Sequence, residues 1–72
     1  MDPNATLNQC EHEVQCAETA ATKGKGNGIA EGFAALVSYY QWRVRGGLEP
    51  PGGDERAKGL SSRLQAQMDF IP

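Results

Sequence analysis

The large apolar side chains of this 72-residue chain are concentrated in residues 28–45, where the sequence reads GIAEGFAALVSYYQWRVR. Apolar residues recur there at helical spacing along two stripes. The first stripe consists of Ile29, Phe33, Leu36, Tyr40 and Val44 with Val37 beside it, and the second of Ala35, Tyr39 and Trp42. A helix that is apolar on two sides is typical of the central element of a bundle. Residues 28–45 are therefore predicted to form a helix packed between two others, and to end at Gly46-Gly47.

A helix is also predicted over residues 3–23, before this central segment. Asp2 is a good N-cap residue, and Pro3 suits the first helical position. The apolar residues that follow, at alternating spacings of three and four, are Leu7, Cys10, Val14, Ala17 and Ala21. Gly24 is expected to end this helix in the left-handed conformation.

The third predicted helix covers residues 54–68, with Asp54 as its N-cap. Its apolar face consists of Ala57, Leu60, Leu64 and Met68. Gly59 lies inside this helix, where glycine costs up to ~1 kcal/mol relative to alanine. Beyond the helix, Phe70 and Ile71 are expected to fold back over the core because they are too apolar for a solvated tail.

Two connectors separate the predicted helices. Residues 23–28 read KGKGNG, a loop in which Asn27 can cap the next helix. Residues 48–53 read LEPPGG, a stiff Pro-Pro segment followed by a Gly-Gly hinge. The alternation typical of strands is absent from the sequence. The predicted fold is an all-α three-helix bundle, with helices at about 3–23, 28–45 and 54–68 in a single domain over residues 1–72.

A chain of this length is expected to be marginally stable by itself, because small domains bury a small fraction of their surface. The two cysteines do not supply the missing stability as a disulfide. Cys10 and Cys16 lie six residues apart on one predicted helix, a rise of ~9 Å, whereas a disulfide needs Cα atoms within ~7 Å. Self-association or a partner is therefore the predicted source of additional stability.

Cys10, His12 and Cys16 are the residues that suggest a metal. On a helix, a rotation of about 240° around the axis separates Cys10 from Cys16, so they cannot share an ion. His12 and Cys16 are one turn apart, but two ligands do not make a structural zinc site, so the others would have to come from a second chain. The sequence therefore predicts neither a metal site nor a cofactor.

The glycine-rich loop Gly24–Gly28, with Lys23 and Lys25, is more typical of a flexible connector than of a phosphate-binding loop. A phosphate loop follows a strand and ends in Gly-Lys-Ser or Gly-Lys-Thr, and this loop does neither. Catalysis has still less support, because the single histidine has no titratable partner at a fixed spacing and the serines have no identifiable base. The chain is predicted not to be an enzyme.

Aromatic and basic residues at the end of the central helix are the candidate interaction residues: Tyr39, Trp42, Arg43 and Arg45. Two interpretations stay open for the aromatic pair. Tyr39 and Trp42 can pack in the core with their polar atoms at its rim, which the pattern favours, or form an exposed interface beside the arginines.

The charges of the chain are distributed unevenly around a net charge of −2. Residues 1–22 contain four acidic residues and no lysine or arginine, whereas residues 23–72 contain seven basic and five acidic residues. Complementary charge between packed helices is the favoured explanation, over a molecule with separate acidic and basic faces. A basic edge that could contact nucleic acid would consist of Arg43, Arg45, Arg56, Lys58 and Arg63. Acidic neighbours interrupt this edge, so nucleic-acid binding is the alternative.

The segment Tyr39–Pro50, YYQWRVRGGLEP, resembles a segment of small uncharacterised bacterial helical proteins with a YYxWRxxGGxxP-like pattern. It covers twelve residues and is not a motif of known activity. The resemblance implies a bacterial or mobile-element origin and brings no functional residues with it.

The sequence thus predicts a small interaction module that is not an enzyme and binds an unknown protein partner or a second copy of itself. Apolar runs long enough to span a bilayer are absent, and Met1–Asn4 lacks the features of a signal peptide. The expected location is the cytoplasm, without membrane contact.

Overall fold

The computed structural model describes residues 2–24 and 28–69, which form three helices connected in sequence. α1 spans Pro3–Ala21, α2 spans Ile29–Val44 and α3 spans Gly53–Met68. No strand occurs within these ranges. The prediction of an all-α three-helix bundle is confirmed, and each helix boundary lies within two residues of the predicted one.

The start of α1 and the two ends of the first connector have the local structure that their residue types favour. At the start of α1, the Asp2 side chain accepts a hydrogen bond from the Asn4 N–H at 3.0 Å. Gly24 has φ 74°, the left-handed conformation expected after α1. Gly28 precedes α2 with φ 86°, and a Cβ there would lie 2.8 Å from the Glu13 carbonyl oxygen of α1. The predicted cap Asn27 lies outside the described residues, as do Phe70 and Ile71.

The start of α3 differs from the prediction. The N-cap position belongs to Gly52, which has φ 70°, and Asp54 is the second helical residue. The Asp54 N–H is instead capped from the connector, by the Glu49 carboxylate at 3.0 Å. Gly52 has no side chain that could cap the helix, so the Glu49 carboxylate takes this role. The Asp54 carboxylate is then available to bind residues of α2.

The core consists of side chains from all three helices. Its buried residues are Leu7, Cys10, Val14, Leu36, Tyr39, Ala57, Leu60 and Leu64, with Phe33 and Ala35 packed partly against them. Gly32 allows the closest contact: a Cβ there would lie 2.8 Å from Leu64 Cδ2. The Cys10 thiol donates to the Gly32 carbonyl oxygen at 3.4 Å. These contacts bring α1 and α3 onto one side of α2.

The prediction that both stripes of α2 are covered by neighbours holds for Leu36 in the first stripe but is wrong for three of its other members. Val37, Tyr40 and Val44 are 51%, 42% and 87% exposed. In a three-helix bundle each helix touches its two neighbours on one side, because the neighbours also touch each other. The opposite side of α2 therefore faces solvent.

Ion pairs join α1 to α3 and confirm the interpretation of complementary charge. Arg63 donates to both carboxylate oxygens of Glu18, at 3.1 Å from Nε and 2.5 Å from Nη2. Arg56 donates to Glu11 at 3.2 Å and to Asn8 at 2.8 Å. The hydrogen bond from Arg63 lowers the pKa of Glu18 below its usual value. The acidic and basic segments thus lie side by side.

None of the helices in the described part of the chain combines the length and the apolarity that a membrane span requires.

Gly59 is the place where the helices can be stabilised most simply. It is exposed in the middle of α3, and a Cβ there would meet no atom within 4 Å. Gly59→Ala should raise the free energy of unfolding by about 0.5–1 kcal/mol, because alanine loses less backbone entropy on forming a helix. Urea denaturation followed by circular dichroism measures this change, and an unchanged or lower midpoint would contradict it.

Candidate interaction surface

Tyr39 lies in the core and is 0% exposed. Its hydroxyl donates a hydrogen bond to Asp54 Oδ1 at 2.6 Å, across the end of α2 to the start of α3. Its ring lies edge-on to Tyr40 at 5.7 Å and tilted toward Trp42 at 6.3 Å. The favoured interpretation of Tyr39 as a core residue therefore agrees with the structure. Its assignment as an interaction residue is corrected, because a fully buried ring offers no surface to a partner.

Arg43 holds the same junction together. Its Nε and Nη2 donate to the two carboxylate oxygens of Asp54 at 3.0 and 2.9 Å, and its Nη1 donates to the Gly47 carbonyl oxygen at 2.6 Å. A bidentate arginine–carboxylate pair is both strong and directional. We call the group formed by Tyr39, Arg43, Gly47 and Asp54 the connector clamp. Arg43 is half-buried in it and has a structural role there, while its prediction as an interaction residue stays a prediction.

Trp42 is half-buried and covers the connector clamp from outside. A Cβ on Gly47 would lie 2.4 Å from two carbons of the indole ring, so glycine is needed for the chain to pass beneath it. Gly46, with φ 93°, provides the left-handed turn that ends α2. Of the four predicted interaction residues, Arg45 is exposed.

The segment Tyr39–Pro50 therefore has a structural explanation. Its first tyrosine, first arginine and second glycine belong to the connector clamp, and its tryptophan packs over that glycine. Pro50 is buried at the other end of the segment, and its carbonyl oxygen accepts a hydrogen bond from the Gly53 N–H at 2.8 Å. The pattern specifies how α2 ends and where α3 begins.

The connector clamp shifts the ionisation of its own members. Burial, and then the hydrogen bond to Asp54, raise the pKa of Tyr39 to about 12. The hydrogen bonds from Arg43, and then from Tyr39, lower the pKa of Asp54 below its usual value. Both shifts favour the observed state, a neutral phenol donating to a charged carboxylate.

A pH titration can detect this arrangement. In Tyr40→Phe, which leaves Tyr39 as the one tyrosine, tyrosinate absorbance should rise with a midpoint near 12 instead of the usual 10.0. Since the pKa is raised in the folded state, the stability that it contributes is complete below about pH 10 and is lost as the pH rises toward 12. Helical circular dichroism should fall over the same interval. A midpoint near 10 with the helices intact would contradict the hydrogen bond.

The opposite side of α2 carries Val37, Tyr40 and Val44, three of the five large hydrophobic residues that are exposed among the described residues. We call this surface the outer face, and its axis consists of Ala30, Ala34, Val37, Gln41 and Val44. All five residues are exposed, and their spacings of four, three, four and three residues are those of a coiled-coil seam. Tyr40 flanks this axis. The sequence itself contains this heptad, because Val37 and Val44 are seven residues apart and lie on a different side of α2 from the buried Leu36.

A shallow apolar groove of about 290 Å³ lies on the outer face. It is lined by Val37, Tyr40, Gln41, Val44 and Arg45. Arg45, the exposed residue among the four predicted for interaction, therefore lies at its rim. A groove bounded by branched apolar side chains and one arginine is suited to receive side chains from another helix.

The predicted basic edge is not free in the structure. Arg43, Arg56 and Arg63 are each paired with an acidic residue of a neighbouring helix. Arg45 and Lys58 are the exposed members of that set. Pairing within the fold removes most of the charge with which this edge could neutralise phosphates.

The candidate metal ligands lie apart from both surfaces. His12 Nε2 and Cys16 Sγ are 3.6 Å apart on the exposed side of α1, while Cys10 faces the core. Burial raises the pKa of the Cys10 thiol. Within the described part of the chain, no group of three or more His, Cys, Asp or Glu residues is placed to hold a metal ion.

Comparison of this chain with protein-family models, curated proteins and solved structures gives no match.

Proposed function

We propose that this chain is a small cytoplasmic protein–protein interaction module, with no enzymatic activity, that binds a helical partner through the outer face of α2. The exposed heptad from Ala30 to Val44 carries this proposal. Soluble domains place apolar residues at heptad spacing on a surface that another helix covers. The free thiols of Cys10 and Cys16 fit a reducing compartment.

The outer face has the composition of a helix-docking site. Val37 and Val44 supply branched side chains for packing, and Ala30 and Ala34 leave room for a second helix to approach closely. Tyr40 adds an aromatic ring of the type enriched at binding hot spots. Removal of this apolar surface from water is the driving force for binding.

Two other functions receive less support. Nucleic-acid binding, the alternative from the sequence, is disfavoured because Arg43, Arg56 and Arg63 are paired within the fold. A metal shared between chains is disfavoured because His12 and Cys16 contribute two ligands at an exposed site.

A comparison of charged substitutions on two faces tests the proposed function. Immobilised chain is exposed to a lysate of its native cell, the retained proteins are identified, and the binding is then measured with the purified partner. Val37→Glu and Val44→Glu should each weaken that binding tenfold or more, because a carboxylate would be buried in an apolar contact. Lys58→Glu, on exposed surface of α3, is the matched control and should bind normally.

Equal binding by the wild-type chain and both glutamate variants would refute the proposed function. All variants must retain the helical circular dichroism of the wild type. The substituted residues are exposed, so the fold is expected to tolerate them.

A further inference from the structure

The structure carries a more specific inference, which rests on the proposed function. We propose that the outer face binds the same face of a second copy of this chain, with the two α2 helices antiparallel about a two-fold axis. The evidence is the pattern of charge along the two flanks of the exposed heptad.

The apolar axis of the outer face is self-complementary in the antiparallel direction. With Ala34 and Gln41 at a positions and Ala30, Val37 and Val44 at d positions, antiparallel packing places each a residue opposite a d residue of the other helix. Val37 then packs against Gln41 of the partner subunit, and Val44 against Ala34 of the partner subunit. One layer pairs Val44 with the smaller alanine, and the other pairs the branched Val37 with the unbranched, flexible glutamine, so both layers can interdigitate.

One flank of the axis carries opposite charges at its two ends. Glu31, Ser38 and Arg45 follow one another at intervals of seven residues, at the e positions of the heptad, and Glu31 and Arg45 are exposed. In an antiparallel pair the e positions of the two helices meet. Glu31 of one copy therefore lies beside Arg45 of the partner subunit, and the two-fold axis generates this ion pair twice.

A parallel pair would not form these contacts. In that arrangement each e flank meets the opposite, g flank, which within α2 carries Phe33 and Tyr40 and no charge. Glu31 and Arg45 would then have no partner of opposite charge. In the antiparallel pair, the g flanks bring Tyr40 against Tyr40 of the partner subunit near the two-fold axis, an aromatic contact. Both flanks therefore favour the antiparallel arrangement.

Neither charged side chain forms a hydrogen bond or an ion pair with another described residue, so each supports the fold only through the dipole of α2. Arg45 is exposed beyond the connector clamp. The arginines that join the described helices by hydrogen bonds are Arg43, Arg56 and Arg63. Glu31 lies in the first turn of α2, on the exposed side. Their substitution should therefore alter association without unfolding the monomer.

A charge-exchange series measured by sedimentation equilibrium tests the proposal. The full chain is studied in reducing buffer, at low salt and over a wide range of concentration. The wild type should change reversibly from monomer to dimer. Glu31→Arg or Arg45→Glu alone should weaken dimerisation about tenfold, because two attractive exposed pairs become repulsive. The double variant, with the charges exchanged, should recover to within about threefold of the wild type.

Two controls assign any loss to the correct contact. Lys58→Glu makes the same change in net charge as Arg45→Glu but lies on α3, so its dimerisation should match that of the wild type. Val37→Glu should abolish the dimer irrespective of the charges on the flank. Raising the salt concentration should weaken dimerisation of the wild type, because exposed ion pairs are screened. The difference in dimerisation between the wild type and the single variants should then become smaller.

Three results would overturn the proposal: a wild type that stays monomeric at millimolar concentration, a dimer that Val37→Glu does not disrupt, or single-variant defects that the double variant fails to repair. The first would leave the proposed function standing if a different protein still bound the outer face in the glutamate comparison. Loss of both self-association and partner binding would refute the proposed function as well.

Discussion

Tyr39→Ala is expected to lower the free energy of unfolding by about 3–5 kcal/mol, as truncation of a buried aromatic ring does. Domains have a total stability of roughly 0.05–0.15 kcal/mol per residue, so this cost is of the same order as the whole stability of a 72-residue chain. The variant should be largely unfolded at 25 °C. Circular dichroism and urea denaturation measure the loss directly.

The size of this effect follows from two roles that Tyr39 combines. Its ring is fully buried among residues of all three helices, and its hydroxyl donates to Asp54 at the start of α3. Truncation leaves a cavity and also removes a hydrogen bond from a charged acceptor. Arg43 remains to pair Asp54, but the carboxylate loses one of the groups that position it.

Tyr39→Phe separates these two roles. It keeps the ring and removes the hydroxyl, so the expected loss is about 1.5–3 kcal/mol, the contribution of a hydrogen bond to a charged group. The phenylalanine variant should remain folded with native helix content. If the alanine and phenylalanine variants unfold at the same urea concentration, packing of the ring is not what Tyr39 contributes, and the explanation above is wrong.

The fold could be predicted because its boundaries depend on local chemistry. Asp2 and Pro3 start α1, and the left-handed glycines Gly24 and Gly46 follow the ends of α1 and α2. These signals act over one or two turns of helix and need no knowledge of the neighbouring helices. These local signals, together with the apolar spacing, are sufficient to predict the positions of three helices and two connectors.

The sequence also predicts that acidic residues of α1 pair with basic residues elsewhere in the chain, but it does not identify the individual ion pairs. Glu11 and Glu18 are seven residues apart on α1, and Arg56 and Arg63 are seven residues apart on α3. Since α1 and α3 run in the same direction in an up–down–up bundle, equal spacing lets both pairs form at once. Equal spacing in two helices of opposite charge is the signal that could have identified these pairs.

The functional face could not be assigned from apolarity alone. Both sides of α2 are apolar, and the sequence does not say which side the other helices cover. Gly32 marks the covered side in the structure: it precedes Leu36 by four residues and Tyr39 by seven, and a Cβ there would lie 2.8 Å from Leu64 Cδ2. The side with Gly32 is the core, which leaves Val37 and Val44 outside.

The roles of Arg43 and Asp54 needed the tertiary structure. The sequence places Arg43 in the last turn of a helix and Asp54 at a helix start, where each has a common local function. In the structure they bind each other across the connector, and Glu49 takes over the cap. Contacts between residues separated by a Pro-Pro-Gly-Gly turn depend on the path of that turn, which local propensities do not fix.

Gly53→Ala is expected to cost about 2–3 kcal/mol, the upper part of the range for overpacking a core site. A Cβ at position 53 would lie 2.6 Å from Pro50 Cγ and 2.7 Å from the Tyr39 hydroxyl oxygen. Neither atom can move freely, because one belongs to a ring and the other is hydrogen-bonded to Asp54. The substitution therefore destabilises even though alanine favours a helix more than glycine does.

Gly52→Ala is the matched control. Gly52 has φ 70°, but a Cβ there would meet no atom within 4 Å, so its substitution costs only the strain of a left-handed alanine, about 1–2 kcal/mol. The two glycines differ in a further way that urea denaturation can measure. In a Tyr39→Phe background the hydroxyl that Gly53→Ala would strike is gone, so its cost should fall, whereas the cost of Gly52→Ala should not change. If Gly53→Ala costs the same in both backgrounds, contact with the hydroxyl is not the reason for glycine at this position, and the clash with Pro50 alone accounts for it.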